Sequence, residues 1–358
     1  MTRASAWSRP VFNLNAAAWD GIRKRNREPI GRGVALRFFI AARIQSALGK
    51  LQTRIYQRAV DAVALRAPIF IVGHWRSGTT LLHELLALDE KFAAPTTYEC
   101  FNPSHFLLTR NQTSADRRAV RPTGDMIVAA SSPQEEEFAL LCVGAVSPYE
   151  AFMFPRAIER VESLGDPDLF QRIEQLRWEQ ALWWTLKATA FAHGADRRLI
   201  LKSPTNSFRV GRLAALFPGA AFIRVVREPC AVFGSTLRLW QSMWERYALT
   251  APLAQDRLLE RIIEIRRAME RKLRGDLARL PDERRATVRY EDLITDPCGA
   301  IARLYELLSL GDPSASAPKV RAYMTEHPRT ASDTGGDWRA IVIERWREMF
   351  EEFGYPRG

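Results

Sequence analysis

The stretch from Pro68 to Asp89, PIFIVGHWRSGTTLLHELLALD, constrains the fold more than any other. It begins with Ile69-Phe70-Ile71-Val72, a short apolar run that reads as a buried strand. Leu81, Leu82, Leu85, Leu86 and Leu88 follow at helical spacing. Between the two runs lies a loop bracketed by Gly73 and Gly78. Strand, glycine-bracketed loop and helix are the parts of a phosphate cradle. The loop amides and the helix N-terminus point at one spot and favour an anion there. The spacing G-x-x-x-x-G-T-T nearly matches the nucleotide-binding G-x-x-x-x-G-K-[ST]. Thr79 stands where that lysine would be, and Arg76 places a cation inside the loop. The missing lysine is the group that reaches the β- and γ-phosphates of a triphosphate. A loop without it suits a shorter anion, one phosphate bearing one further group to transfer. Taken alone, the stretch also reads as a strand–turn–helix whose glycines serve the turn.

The rest of the chain repeats the strand-then-helix rhythm. Residues 198–203 (RLILKS), 220–226 (AAFIRVV) and 286–290 (ATVRY) read as further strands. Helices are expected over 34–64, 208–217, 229–247, 252–280, 296–309, 316–326 and 338–353. Ser132-Pro133-Gln134-Glu135 reads as an N-cap, an N1 proline and an acidic first turn, opening a helix to about Val146. Asp166-Pro167 opens another, to about His193, whose Trp178, Trp183 and Trp184 read mainly as core. Such alternation implies an α/β fold: a P-loop-type parallel sheet flanked by helices on both faces, a single domain with helical additions. Its ligands belong at the carboxyl ends of the strands. The expected division is an N-terminal helical extension over 1–65 and a domain over 66–358. Residues 90–165 are rich in proline and aromatics, ground on which an acceptor pocket is often built.

The net charge of +11 suits anionic partners: a bisphosphate nucleotide, an acidic acceptor, a membrane surface or nucleic acid. A general preference for arginine would produce the same balance. Cys100, Cys142, Cys230 and Cys298 are scattered with no C-x-x-C, which suits reduced thiols in a cytoplasm. The histidines are dispersed and no H-E-x-x-H occurs, so no metal site is expected. The N-terminus lacks an apolar leader core and no run is long enough to span a bilayer, so a soluble protein is expected. The 34–64 helix is amphipathic and carries Arg43, Lys50, Arg54 and Arg58. It reads either as an outer helix with a solvated face or as a peripheral membrane contact.

Arg76-Ser77-Gly78-Thr79-Thr80 after an apolar strand resembles the 5′-phosphosulfate loop of sulfotransferases, which use 3′-phosphoadenosine 5′-phosphosulfate (PAPS). Arg227 leaves the third strand, and Ser235 lies two turns into the next helix, so the two can face one anion. The pair is similar to the family's 3′-phosphate motif. Tyr290-Glu291-Asp292-Leu293 with Pro297 resembles the Y-E-D-L…P segment, in which the tyrosine abuts the adenine side. Glu291 and Asp292 read as structural. Gly335-Gly336-Asp337-Trp338 resembles the family's C-terminal G-x-x-G-D-W. Upstream, His327-Pro328-Arg329 replaces R-K-G and leaves Arg329 as a further 3′-phosphate candidate.

The acceptor side follows the family less closely. Lys202, in Leu201-Lys202-Ser203-Pro204, matches the cytosolic enzymes' lysine and can stabilise charge on the bridging oxygen. The histidine base of those enzymes is absent. The tyrosylprotein-sulfotransferase-like branch, which this chain resembles more closely, uses a glutamate a short way beyond the loop helix. Glu99 is the matching candidate base, with Glu135, Glu136 and Glu137 in reserve. The resemblance runs from about residue 68 to 353. It implies transfer of a sulfuryl group from PAPS to an acceptor hydroxyl of a sugar, lipid, phenol or peptide, without a metal. Arg76 and Lys202 would carry the electrostatics, and no nucleic-acid partner is expected. A P-loop kinase using ATP would want the lysine at position 79 and an acidic metal ligand on a neighbouring strand. A non-catalytic basic nucleotide- or nucleic-acid-binding protein is the remaining alternative. Acceptor identity and oligomeric state are not encoded in these motifs.

Overall fold

The computed structural model describes residues 12–110, 119–120, 127–328 and 335–357. In chain order the first elements are α1 (Ala16–Arg25), α2 (Arg32–Asp61), β1 (Ile69–Val72), α3 (Thr79–Leu86), β2 (Phe92–Ala93), α4 (Thr97–Phe101) and α5 (Phe106–Thr109). Then come β3 (Ala119–Val120), β4 (Ile127–Val128), α6 (Glu136–Val143), α7 (Val161–Gly165), α8 (Arg172–His193), β5 (Arg198–Lys202), α9 (Val210–Leu216), β6 (Ala221–Val226) and α10 (Pro229–Tyr247). The last are α11 (Gln255–Leu277), β7 (Arg285–Arg289), α12 (Tyr290–Thr295), α13 (Pro297–Leu307), α14 (Ala317–Glu326), α15 (Arg339–Arg345) and α16 (Arg347–Phe353). They form two compact units. The first gathers 1–64, 95–195 and 241–253, and the second gathers 65–94, 196–240 and 254–358.

The second unit is the α/β body. Its sheet has the order β2-β5-β1-β6-β7 and every pairing is parallel. The central strand β1 is fully buried, which is why its sequence is an unbroken apolar run rather than an alternating one. Side-chain alternation still assigns its residues to two faces. Ile69 and Ile71 join Leu82, Leu85, Ile223, Val288, Ile301 and Leu304, so α3 and α13 cover one face. Phe70 points the other way, with its ring 5.4 Å from Phe222 and 5.9 Å from Phe217 at the end of α9. Helices on both faces leave the strand ends as the open ground, and the chain's motifs fall at the carboxyl ends of β1, β5, β6 and β7.

The first unit is helical. Its boundaries differ from the sequence expectation in instructive ways. The helix expected from Ser132 starts at Glu136, with Glu135 as N-cap. Residues 129–134 are used instead for pairing with 95–98: the Thr97 amide donates to the Ser132 carbonyl (2.8 Å) and the Gln134 amide to the Pro95 carbonyl (2.8 Å). Asp166-Pro167 opens a short 3-10 turn, and α8 begins at Arg172, with the Gln171 amide donating to Glu174. Trp178 is fully buried as expected, whereas Trp183 and Trp184 are half-buried. In the second unit, Tyr290 is the first residue of α12 rather than the last of a strand.

A buried amide ties the 30-residue α2 to the segment that follows α4. Gln52 donates to the Pro103 carbonyl and accepts from the Leu107 amide, both at 2.8 Å. Gln52→Ala would leave two buried backbone groups unpaired, at about 1–3 kcal/mol each. Urea unfolding should register a loss of about 2–6 kcal/mol, and an unchanged midpoint would refute the role given to Gln52.

Candidate active site

The phosphate loop is held from three directions in the second unit. Gly73 has φ +147, and a Cβ there would lie 2.7 Å from the Val225 carbonyl oxygen. Gly78 caps α3 with φ +103, and a Cβ there would run into the Tyr290 ring. Both positions therefore need glycine, one for a close backbone approach and the other for a left-handed turn. Inside the loop, the Ser77 hydroxyl donates to the His74 carbonyl (2.8 Å), and the Gly73 amide donates to the Ser207 hydroxyl (2.8 Å). His74 is fully enclosed. Burial, with Arg266 nearby, holds its pKa well below the ordinary value, so it sits in the loop as a neutral ring.

Arg76 is the centre of the site. Its φ of 68 is left-handed, which is uncommon for a residue other than glycine and recurs at functional turns. Its Nε donates to the Ser235 hydroxyl at 2.8 Å, and its carbonyl accepts from an Arg227 terminal nitrogen at 2.9 Å. The Arg227 guanidinium lies over the Tyr290 ring, 4.1 Å from its centroid. Burial pulls Arg227 below the ordinary guanidinium value, and Tyr290, Glu291 and Glu228 push back. Arg76, Gly78, Thr80, Arg227 and Ser235 are all half-buried, whereas Ser77, Thr79 and Tyr290 are buried beneath them. The structure thus brings together every expected cofactor-site residue of the loop with Arg227, Ser235 and Tyr290. The contacts of Tyr290 go to Gly78 and Arg227, so it acts as a backing for both. Arg329 lies outside the described residues.

Two further groups support this corner. Glu291 accepts from the Glu228 amide (3.0 Å) and the Tyr355 hydroxyl (2.8 Å), which ties the start of α10 to the C-terminus. The Trp338 ring packs 4.9 Å from Phe233, and a Cβ on Gly234 would lie 2.8 Å from it, so the G-D-W segment walls the α10 turn that carries Ser235. Lys202 is buried at the end of β5, paired in register with Ile71. Sequence reasoning missed Ser207 and Trp338's partner Gly234, because neither is part of a spaced motif, and His74, because it fills an unspecified position of the loop.

Glu99 belongs to the first unit. One carboxylate oxygen accepts from the Thr96 amide (2.8 Å) and completes the cap of α4. The other meets His193 Nε2 at 2.8 Å. A carboxylate has about four acceptor sites, so two engagements orient Glu99 without saturating it. Burial, then Glu99 and Glu136, push the Cys100 thiol well above its ordinary value, with Glu135 adding to the effect. The candidate acids therefore share one neighbourhood. Glu135 accepts from the Tyr149 hydroxyl, and Glu136 and Glu137 are buried. Beside them lies an aromatic cluster in which Tyr149 and Phe152 are buried and Phe101 and Phe138 half-buried. Phe138 lies 4.9 Å from both Phe101 and Tyr149, and Tyr149 4.8 Å from Phe152. Among the described residues no cluster of three or more metal-ligating side chains occurs.

In chemical terms, the second unit offers a cradle of backbone amides with two guanidiniums and a hydroxyl, and the first offers carboxylates beside an aromatic cluster. Comparison with known proteins gives the same answer. A family model described as "Sulfotransferase family" matches residues 68–313. The chain is 34% identical over 368 aligned residues to the omega-hydroxy-beta-dihydromenaquinone-9 sulfotransferase Stf3 of Mycobacterium bovis, covering 100% of this chain and 94% of that protein, and equally to the Mycobacterium tuberculosis protein of that name. The fold is similar to the crystal structure of sulfotransferase STF9 from Mycobacterium avium (TM-score 0.67, 20% identity, 96% of this chain and 97% of that one). It is also similar to STF1 from Mycobacterium tuberculosis (TM-score 0.65, 22% identity, 92% and 90%). The chain belongs to the sulfotransferase family and transfers a sulfuryl group to a hydroxyl acceptor.

Proposed function

We propose that the donor is PAPS and that the acceptor is a hydroxyl on a hydrophobic, lipid-like molecule. The convergence of Arg76, Ser235 and Arg227 on the glycine-bracketed loop carries the donor assignment. The loop amides and Arg76 hold the 5′-phosphosulfate, and Arg227 and Ser235 hold the 3′-phosphate. When bound, the donor supplies the sulfuryl group. A kinase-type site is disfavoured: β6, the neighbour of β1, ends at Val226 and is followed by Arg227, where a metal-binding carboxylate would be wanted, and the next residue, Glu228, accepts from the Ala231 amide at the start of α10.

The acceptor assignment is supported by the full-length relative, whose printed name specifies an omega-hydroxylated dihydromenaquinone. It is also supported by the half-buried rings of Phe101 and Phe138, 4.9 Å apart, which suit an apolar chain or ring rather than a sugar. Arg76 and the loop amides stabilise charge on the sulfuryl oxygens, and Lys202 stabilises the departing bridging oxygen. Glu99 takes the acceptor proton, oriented by the Thr96 amide and His193. The transfer chemistry is assigned to residues 66–358, with 1–65 as an N-terminal extension. All four cysteines are free, which accords with a reducing compartment such as the cytoplasm.

Arg227→Ala should weaken 3′,5′-adenosine bisphosphate binding by about 1.5–3 kcal/mol, the range for a lost charge-assisted bond. The loss should be smaller for 5′-AMP, since Arg227 then acts only through the Arg76 carbonyl. Equal losses in calorimetry would show that Arg227 supports the loop and does not touch the 3′-phosphate. Glu99→Gln should lower kcat on the order of 10²–10⁴-fold with nucleotide affinity retained. Lys202→Ala should also lower kcat, by about 10²–10³-fold. Near-normal turnover of Glu99→Gln would move the proton to the Glu135–Glu137 cluster.

A further inference from the structure

The outward face of α2 has no role in the chemistry above, yet its composition is unusual for a solvated surface. Among the described residues, eleven large hydrophobic side chains are exposed, and six of them lie on this one helix: Leu36, Phe39, Ile40, Ile44, Leu51 and Ile55. Each is between 46% and 58% exposed. Isolated exposed leucines need no explanation, but a contiguous set on one element does. At about 100° per residue they occupy a single broad arc of the helix. The buried residues Ala42, Gln45, Gln52 and Val60 occupy the opposite side, where Gln52 locks α2 to residues 103–107. The orientation of the helix about its own axis is therefore set, and the apolar arc cannot turn inward.

The second observation is charge. Arg43, Lys50, Arg54 and Arg58 are exposed along the same stretch. No acidic residue occurs in α2 before its last position, Asp61. Arg43 contacts Asp20, and its guanidinium also lies 4.5 Å from the Phe39 ring centroid, so it lies alongside the apolar arc. A face that mixes large aliphatic side chains with long cations and excludes acids complements an anionic bilayer surface. The apolar groups enter the acyl boundary while arginine and lysine reach the headgroups. A second copy of this chain would instead set the same cations against each other. The helix does not meet the criteria for a membrane span, so it lies on the surface rather than crossing it.

We infer that the outward face of α2, from Leu36 to Arg58, docks this protein on an anionic lipid bilayer. The inference does not rest on the acceptor assignment, although a membrane-resident acceptor would then be met at the same surface. Flotation of the full chain with phosphatidylcholine–phosphatidylglycerol vesicles tests it. The protein should float with mixed vesicles and bind at least about tenfold more weakly to pure phosphatidylcholine, as expected for several basic side chains near the surface. Ile40→Asp/Ile44→Asp should lower binding to mixed vesicles at least about tenfold. Its circular dichroism and 3′,5′-adenosine bisphosphate affinity should be unchanged, which separates lost docking from lost folding. Arg54→Gln/Arg58→Gln should weaken binding to mixed vesicles and leave that to pure phosphatidylcholine unaltered. No flotation of the wild type, or equal flotation of the Ile40/Ile44 variant, would overturn the inference. So would a dimer in sedimentation that the same variant abolishes, since the face would then belong to a second copy.

Discussion

The Arg227 guanidinium donating to the Arg76 carbonyl is the contact on which the site depends. It spans β6 and the loop after β1, and it acts where the backbone is left-handed at a non-glycine residue. Such a conformation persists when its surroundings over-determine it. Here they do so through several bonds: Arg227 on the carbonyl, Ser235 on the side chain, and Ser77 turned back onto the His74 carbonyl. Tyr290 closes the arrangement, with one flank against Gly78 and its face under Arg227. The same residues that would contact an anion therefore build the shape that receives it. The loop is preorganised, and preorganisation is the form of catalysis open to a reaction carried by positioning and fixed charge.

Replacing the loop lysine has a structural counterpart. A lysine at position 79 would extend from the first turn of α3 toward a chain of phosphates. Thr79 is buried, and the cation has moved into the loop at Arg76, where its Nε is directed to Ser235 of α10. The positive charge at the loop is carried by Arg76 and by Arg227, which donates to the Arg76 carbonyl. The proposed donor, with a 5′-phosphosulfate and a separate 3′-phosphate, would match two cations placed in this way.

The sheet, and the gathering of Arg227 and Ser235 at the glycine-bracketed loop, were legible because each rests on local patterns. The apolar run of β1, the glycines at 73 and 78, and the Arg227-to-Ser235 spacing are read within a few residues of each other. What escaped was set by distant partners. The helix at Ser132 looked complete by its capping residues, but tertiary pairing with residues 95–98 took those residues first. His193 beside Glu99, Ser207 on the Gly73 amide and Trp338 against Gly234 join segments far apart in sequence. The apolar arc of α2 was visible as amphipathicity, yet which face was buried became clear only from Gln52. A helical period reports two faces and does not say which of them the fold covers.

Calorimetric titration of the wild-type protein with two nucleotides in parallel tests the central claim most directly. If the loop is built for a 5′-phosphosulfate and a 3′-phosphate, 3′,5′-adenosine bisphosphate will bind in the presence of EDTA, and more tightly than ATP with Mg²⁺. Tighter binding of ATP with Mg²⁺, or a bisphosphate affinity that vanishes on chelation, would contradict the account.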